Sequence, residues 1–223
     1  TAPTTTVSID SISDDSGSSD SDFITNDDDG LTINATLSSV LGADETLQVS
    51  IDGGTTFTAV PTSAITGTSV AHVAAGLTAS ATVQFRVVDA AGNPGAVAAQ
   101  PVTIDVTAPA APTVDALTTN DTTPTITGTA TLGSGETLSV TINGATYDNV
   151  TVTGGVWSID TGVAAVSSGS LGTFTEGNYD VTATVTDTAS NAASDNSSDE
   201  ITIDTTAPTT TVSIDSISDD SGS

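Results

Sequence analysis

The chain has 223 residues, of which 28 are acidic and only one, Arg86, is a lysine or arginine, so its formal net charge is −27. This charge would repel nucleic acids and anionic membranes, and it leaves cations and neutral surfaces as partners. The chain has no cysteine, which excludes disulfide bonds. No apolar run approaches the roughly 18 to 20 residues that span a bilayer, so no direct membrane insertion is expected.

The sequence is repetitive. Residues 1–18 recur unchanged as residues 206–223, which predicts a piece of a longer tandem array. A weaker repeat relates the two halves of the unit: TIDVTAP (103–109) matches TIDTTAP (202–208), ETLQVSIDG (45–53) matches ETLSVTING (136–144), and VVDAAGN (87–93) matches VTDTASN (185–191). We therefore predict two homologous domains, residues 1–106 and 107–205, followed by the start of a third repeat at 206–223.

The predicted elements are short β-strands. In chain order, alternating Thr, Val and Ile residues form the runs TTTVSIDSI, LTINATL, TLQVSI, ATVQFRVVD and PVTID, and then TPTITGTAT, TLSVTI, VWSID, YDVTATVTD and EITID. Hairpin signals such as DGG (52–54) and NG (143–144) separate them. About seven strands per half at this spacing are typical of an immunoglobulin-like sandwich. The expected fold class is all-β, with two such sandwiches end to end and one strand of a third repeat.

Acidic residues cluster in the predicted loop between the first two strands. Eight of them lie between Asp10 and Asp29, and such crowding costs free energy through repulsion unless a cation compensates. Ca²⁺ takes six to eight oxygen ligands from carboxylates, amides and carbonyls in flexible loops. The candidate ligands in this loop are Asp14, Asp15, Asp20, Asp22, Asn26 and Asp27.

A second set of candidate ligands follows from the topology of the sandwich. The loops after its second and sixth strands face the domain that precedes it in the chain, whose last strand is expected to end at Asp105. We predict that Glu136, Asp187 and Asn191 converge with Asp105 on the two-residue linker Val106–Thr107 and bind calcium there. The equivalent residues of the first domain are Glu45, Asp89 and Asn93, and Asp204 repeats Asp105 at the next junction.

The TAP junctions, the stretch DSISDDSGSSDSDFITND (10–27) and the motif DAAGN (89–93) resemble the bacterial Ig-like extender repeats of large RTX adhesins, a family that includes biofilm and ice-binding adhesins. The resemblance implies export by type I secretion and a calcium-rigidified stalk on the extracellular, bacterial cell surface. The partners it implies are neighbouring identical repeats in the same chain, with the distal target bound by other regions. The second domain has DTASN (187–191), in which Ser190 replaces the glycine, and a differently shaped loop is expected there.

Three alternatives are open. The acids could simply be salt-adapted, solvated loops, or the threonine-rich strand VTATVTDT (181–188) could bind glycan or ice as an adhesive module. A sugar could stack on Trp157, although core packing is the stronger expectation. Enzymatic activity is not expected, because His72 is the only histidine and no nucleophile motif is present.

Overall fold

A computed structural model describes residues 1–213, and its regular structure consists of 21 strands and one 3₁₀ turn, Thr62–Ala64. The β-branched runs form the strands because branched side chains pack well on a pleated surface. The strand expected in the third repeat falls largely on residues 214–223, outside the described residues. Residues 206–213, which are described, are exposed and without strand structure.

Strands β1 to β9 make up what we call the first sandwich. One sheet has the order β1-β3-β7-β6, and its strands are Val7–Ile12, Leu31–Leu37, Ser69–Ala74 and Ile65–Thr66. The other has the order β2-β9-β8-β4-β5, and its strands are Ile24–Thr25, Pro94–Ile104, Ala81–Asp89, Glu45–Ser50 and Thr58–Ala59.

Strands β10 to β21 make up the second sandwich. One sheet has the order β10-β12-β16-β15, with strands Thr113–Val114, Thr125–Thr129, Val156–Asp160 and Val152–Thr153. A five-stranded sheet has the order β17-β14-β13-β19-β20, with strands Ser168–Gly169, Ala145–Tyr147, Thr137–Ile142, Val181–Thr186 and Ala192–Ser194. A three-stranded sheet has the order β11-β21-β18, with strands Leu117–Thr119, Ile201–Ile203 and Gly177–Tyr179.

Each sandwich has its own hydrophobic core, built by the alternation of buried and exposed residues along its strands. In the first, β3 and β8 turn Leu31, Ile33, Val83 and Phe85 inward, all fully buried. In the second, the core packs around Trp157, which is also fully buried and donates its Nε1 hydrogen to the carbonyl of Thr113 (3.1 Å). The expected position of this tryptophan in the core is confirmed.

The first strand of each sandwich is divided between two sheets. β1 and β10 lie in one sheet, whereas β2 and β11 lie in the other, beside the last strand of the sandwich. β2 pairs in parallel with β9, and β11 pairs in parallel with β21. Beyond these strands, the N–H of Asp105 donates to the carbonyl of Thr25 (2.9 Å), and the N–H of Asp204 donates to that of Thr119 (2.9 Å). The sequence TND occurs at both places, as residues 25–27 and 119–121, and the carbonyl of its threonine holds the matching aspartate of each sandwich at an equivalent position.

Candidate metal sites at the joint and in the acidic loop

The loop that follows β19 is organised by one carboxylate. Oδ1 of Asp187 accepts hydrogen bonds from the N–H groups of Ala189 (2.8 Å) and Asn191 (2.9 Å), and Oδ2 accepts one from Nδ2 of Asn191 (2.8 Å). The loop that follows β8 repeats all three bonds, with Asp89 as acceptor and Ala91 and Asn93 as donors. Hydrogen bonds to the ionised carboxylate lower the pKa of Asp89, and the two bonds from Asn93 contribute most.

Ser190 does not change the shape of its loop. Its φ is +70°, close to the +83° of Gly92 at the equivalent position, and the hydrogen bonds of the two loops match. The expected difference in shape is therefore wrong: the bonds of Asp187 hold the serine in a left-handed conformation that an L side chain rarely adopts.

Ser190→Gly is expected to stabilise the second sandwich by up to about 1 kcal/mol, because glycine adopts this φ without steric cost. Urea denaturation followed by the fluorescence of Trp157, the only tryptophan, measures the effect. Ser194→Gly, within β20, is the matched control and should destabilise the chain. If the urea midpoint of Ser190→Gly is equal to or lower than that of the parent chain, the backbone of Ser190 is not strained.

A glutamate lies beside each of these loops. Glu45 is directly opposite Asp89 in the pairing of β4 with β8. Its Oε2 accepts a hydrogen bond from the N–H of Gly42 (2.9 Å), and Glu136 makes the same bond to the N–H of Gly133 (2.7 Å). The sequence LG-x-x-E thus forms the same closed turn in both sandwiches.

The second sandwich meets the end of the first at Asn191. Its Nδ2 donates both to the carboxylate of Asp187 and to the carbonyl oxygen of Asp105 (2.7 Å). The carboxylate of Asp105 caps the linker by accepting from the N–H of Thr107 (2.9 Å). The structure therefore brings together three of the four residues predicted at this joint, while the carboxylate of Glu136 is bonded within its own turn.

The residues after the second sandwich repeat part of this arrangement. Oδ1 of Asp204 accepts from the N–H of Thr206 (3.0 Å), as Asp105 does from Thr107. Glu176, which the sequence analysis did not single out, also holds this linker, because its Oε2 accepts from the N–H (2.7 Å) and the hydroxyl (2.8 Å) of Thr205. These bonds lower the pKa of the Glu176 carboxyl.

In the acidic loop, the carboxylate of Asp15 is partly buried. Its Oδ2 accepts from the N–H of Phe23 (3.2 Å), but no hydrogen-bond donor among residues 1–213 reaches its buried Oδ1. Burial raises the pKa of the Asp15 carboxyl, and the nearby charge of Asp22 raises it further. A buried, unpartnered oxygen beside a second carboxylate fits a bound cation.

A second crowded group of carboxylates lies mainly after β2, which divides the predicted acidic loop in two. The charge of Asp27 raises the pKa of the Asp29 carboxyl, with smaller contributions from Asp28 and Asp14. Of the other predicted ligands, Asp22 lies near Asp15 and accepts from the N–H of Ile24 with its Oδ1, Asn26 bonds to Ser16, and Asp20 is exposed.

Carboxylates alone do not make a complete site. Across residues 1–213, no three His, Asp or Glu side chains come together closely enough to hold a metal ion by themselves. A calcium site here must therefore include amide or carbonyl oxygens, such as those of Asn191 and Asp105, and water.

The second sandwich is similar to a described family. Residues 111–205 match the model of the bacterial Ig-like domain. The match lies within the part of the chain that forms the second sandwich and its linker. A search of the curated proteins gives no match.

The chain is similar to several solved structures, each less than 25% identical to it. One is a Ca²⁺-stabilized adhesin that helps an Antarctic bacterium reach out and bind ice, with 23% identity over 92% of this chain and 49% of that chain (TM-score 0.43). Another concerns host cell surface retention of a 1.5-MDa bacterial ice-binding adhesin (22% identity, 89% and 65% covered, TM-score 0.39). The third is the BSP domain of a biofilm associated protein (18% identity, 83% and 29% covered, TM-score 0.28). The chain thus spans about half the length of the first of them.

His72 packs its ring edge-on to Phe85 at 6.3 Å between centroids, and desolvation lowers the pKa of its imidazole. No helix within residues 1–213 is long and apolar enough to cross a bilayer.

The threonines of β19 lie on the outer face of the second sandwich. Thr182 pairs with Thr141 on β13, and Thr184 pairs with Ser139. The hydroxyl of Thr184 lies 2.8 Å from that of Ser194 on β20. Such cross-strand pairs stabilise a sheet by themselves. The adhesive alternative stays a prediction that glycan arrays or ice-affinity partitioning would test.

Proposed function

We propose that this chain is a spacer module of a large bacterial cell-surface adhesin, and that calcium stiffens it at the joint and in the acidic loop. The observation that carries the proposal is the side chain of Asn191, which lies between the carbonyl of Asp105 in one sandwich and the carboxylate of Asp187 in the other. The domain boundary proposed from the repeats, between Val106 and Thr107, falls at this contact.

At the joint, the ligands would be the carbonyl oxygen of Asp105, the carboxylate of Asp187 and the amide oxygen of Asn191, after rotation of the amide. Glu136, which directly precedes the strand next to β19, is the fourth candidate. Where copies follow one another, Glu45, Asp89 and Asn93 would bind the end of the preceding unit, and Asp204 would offer the same groups as Asp105. Each ion would bridge two domains and limit their relative motion.

In the acidic loop, Asp15 and Asp22 would hold one ion, and Asp14, Asp27 and Asp29 would contribute to another. An ion there would neutralise carboxylates whose raised pKa values reflect burial or mutual repulsion. Extracellular modules typically bind calcium with dissociation constants of about 10⁻⁴ to 10⁻³ M. The chain would therefore remain loosely structured in a low-calcium cytosol and become rigid after export, when it holds a distal binding region away from the cell.

Asp187→Asn tests the joint. The substitution keeps the size of the side chain but removes the charge, so the variant should bind fewer calcium ions by isothermal titration. Its small-angle X-ray scattering profile in calcium should resemble that of the parent chain in EGTA, because the joint is released. Asp160→Asn is the control, since Asp160 is an exposed carboxylate of the same sandwich that accepts from the N–H of Gly162 and is not among the proposed ligands.

Two results would refute the proposal. One is the absence of calcium uptake by the parent chain. The other is a scattering profile of the parent chain that stays the same after EGTA treatment, because calcium would then add no stiffness to the joint.

A further inference from the structure

The loop between β1 and β2, residues 13–23, reaches across to the second sandwich. The hydroxyl of Ser16 lies 2.9 Å from the carbonyl oxygen of Ala189, to which it can donate. The same hydroxyl is within 3.1 Å of Oδ1 of Asn26 and accepts from the N–H of Asn26 (3.0 Å). One side chain thus ties the loop both to the first sandwich and to the Asp187–Asn191 loop of the second.

At the next residue, Gly17, the loop backbone lies so close to the second sandwich that no side chain would fit between them. Its φ is +110°, and a Cβ built on it would lie 1.9 Å from the carbonyl oxygen of Thr188. The obstacle is backbone, which cannot rotate away as a flexible side chain could. The contact therefore requires glycine at this position.

Ala189 shows that this contact excludes solvent. It is fully buried, although it belongs to a loop and to neither hydrophobic core. Ala91, at the same place in the equivalent loop of the first sandwich, is exposed. Because the two loops have the same hydrogen bonds, the burial of Ala189 comes from what lies over it rather than from the shape of its own loop.

The second sandwich has no equivalent of this loop. Only residues 115–116 separate β10 from β11, whereas residues 13–23 separate β1 from β2. So short a connection does not extend beyond the sheet edge. The sequence repeats Ser16 and Gly17 as Ser221 and Gly222, which lie outside the described residues.

We propose that residues 13–23 form a clamp that docks on the Asp187–Asn191 loop and restricts the angle between the two sandwiches even when no metal ion is bound, so that calcium would add to a restraint that is already present. A joint that follows a sandwich of the first kind carries the clamp, and a joint that follows one of the second kind lacks it. In a longer array, stiff and compliant joints would therefore alternate. The clamp does not depend on the proposed role of calcium.

Spin-label distances measure the clamp directly. The chain has no cysteine, so Val73→Cys and Val163→Cys, both at exposed positions, place one label on each sandwich of the full chain. Pulsed electron resonance in EGTA should give a narrow distance distribution for this parent. Gly17→Ala should lose the narrow distribution, and Ser16→Ala, which leaves the loop backbone intact, should broaden it in part.

Gly53→Ala is the matched control. Gly53 also has a positive φ, +74°, but no atom lies within 4 Å of a Cβ built on it, so the substitution carries backbone strain without a clash. Circular dichroism and the fluorescence of Trp157 confirm that each variant is folded. Should Gly17→Ala prevent folding, the comparison of Ser16→Ala with Gly53→Ala decides instead.

The outcomes separate the clamp from the metal. Broadening by Gly17→Ala but not by Gly53→Ala, in EGTA, supports the clamp, whatever calcium then does. A parent distribution that is broad in EGTA and narrow in calcium would overturn the clamp and leave the proposed calcium role standing. Equal distributions for Gly17→Ala and Gly53→Ala would also overturn the clamp.

Discussion

Gly128→Ala is expected to destabilise the second sandwich by about 3 kcal/mol. Gly128 is buried on β12 and pairs with Val114 on one side and Trp157 on the other. A Cβ at this position would lie 2.0 Å from the carbonyl oxygen of Thr113 and 2.5 Å from Cζ2 of Trp157. Neither group can yield cheaply, because the carbonyl belongs to the paired strand and the indole fills the core.

The fluorescence of Trp157 in urea reports this loss for the second sandwich alone, since the first contains no tryptophan. Far-UV circular dichroism follows both, and a biphasic transition would show that the first sandwich remains folded on its own core. Gly154→Ala is the control, because a Cβ there meets no atom within 4 Å and only the positive φ of +64° is penalised. Equal midpoints for the two variants would contradict the assigned role of Gly128.

The sequence was sufficient to predict the features that depend on local patterns. Alternation of Val, Ile and Thr predicted strands such as β3 and β8, and the VVDAAGN and VTDTASN repeats predicted loops at equivalent positions of the two halves, although not that the two loops would have the same hydrogen bonds. The all-β, Ig-like fold followed from these patterns. Asp105 and Asn191 could be placed together because sandwich topology alone brings their loops to one joint.

Contacts between distant segments could not be predicted in this way. Nothing in the residues around Ser16 indicates that its partner is Ala189, because the two are 173 positions apart and the hydroxyl of a serine suits many acceptors. The bond of Glu176 to Thr205 is of the same kind. Ser190 was misjudged for the opposite reason: its local preference is overridden by the hydrogen bonds of the Asp187 carboxylate.

Removal of calcium is expected to have the largest effect on the chain as a whole. With calcium at ~100-fold above its dissociation constant, each site stabilises the folded form by roughly 2.7 kcal/mol, and several sites would add. Differential scanning calorimetry in millimolar calcium should therefore show a higher melting temperature than in EGTA. The same experiment in NaCl of equal ionic strength separates ion binding from general screening of the acidic charge. Equal stabilisation by NaCl would favour the salt-adapted interpretation of the acids.

Asp15→Asn distinguishes a metal ligand from a merely crowded acid, because the sign of its effect should depend on calcium. In EGTA, the raised pKa of the Asp15 carboxyl means that the folded chain disfavours the ionised form. The protonated carboxyl therefore favours the folded chain below the ordinary pKa of 3.8, and this stabilisation is lost as the pH rises through the higher pKa of the folded state. At neutral pH the variant, which has no charge to desolvate beside Asp22, should therefore be more stable than the parent.

In calcium the order should reverse, since the variant has lost a ligand and the parent has gained a neutralising ion. Asp52→Asn is the control at an exposed turn, where hydrogen bonds from Ser50 and Thr56 lower the pKa of the carboxyl to about 2. The ionised Asp52 carboxylate stabilises the folded chain above its ordinary pKa, and this stabilisation disappears as the pH falls through the folded value of about 2. Asp52→Asn should therefore be destabilised at neutral pH, and equally in calcium and in EGTA. If Asp15→Asn also changes stability by the same amount and sign in both, no ion binds at Asp15, and its buried oxygen is only a cost of the loop that carries the clamp.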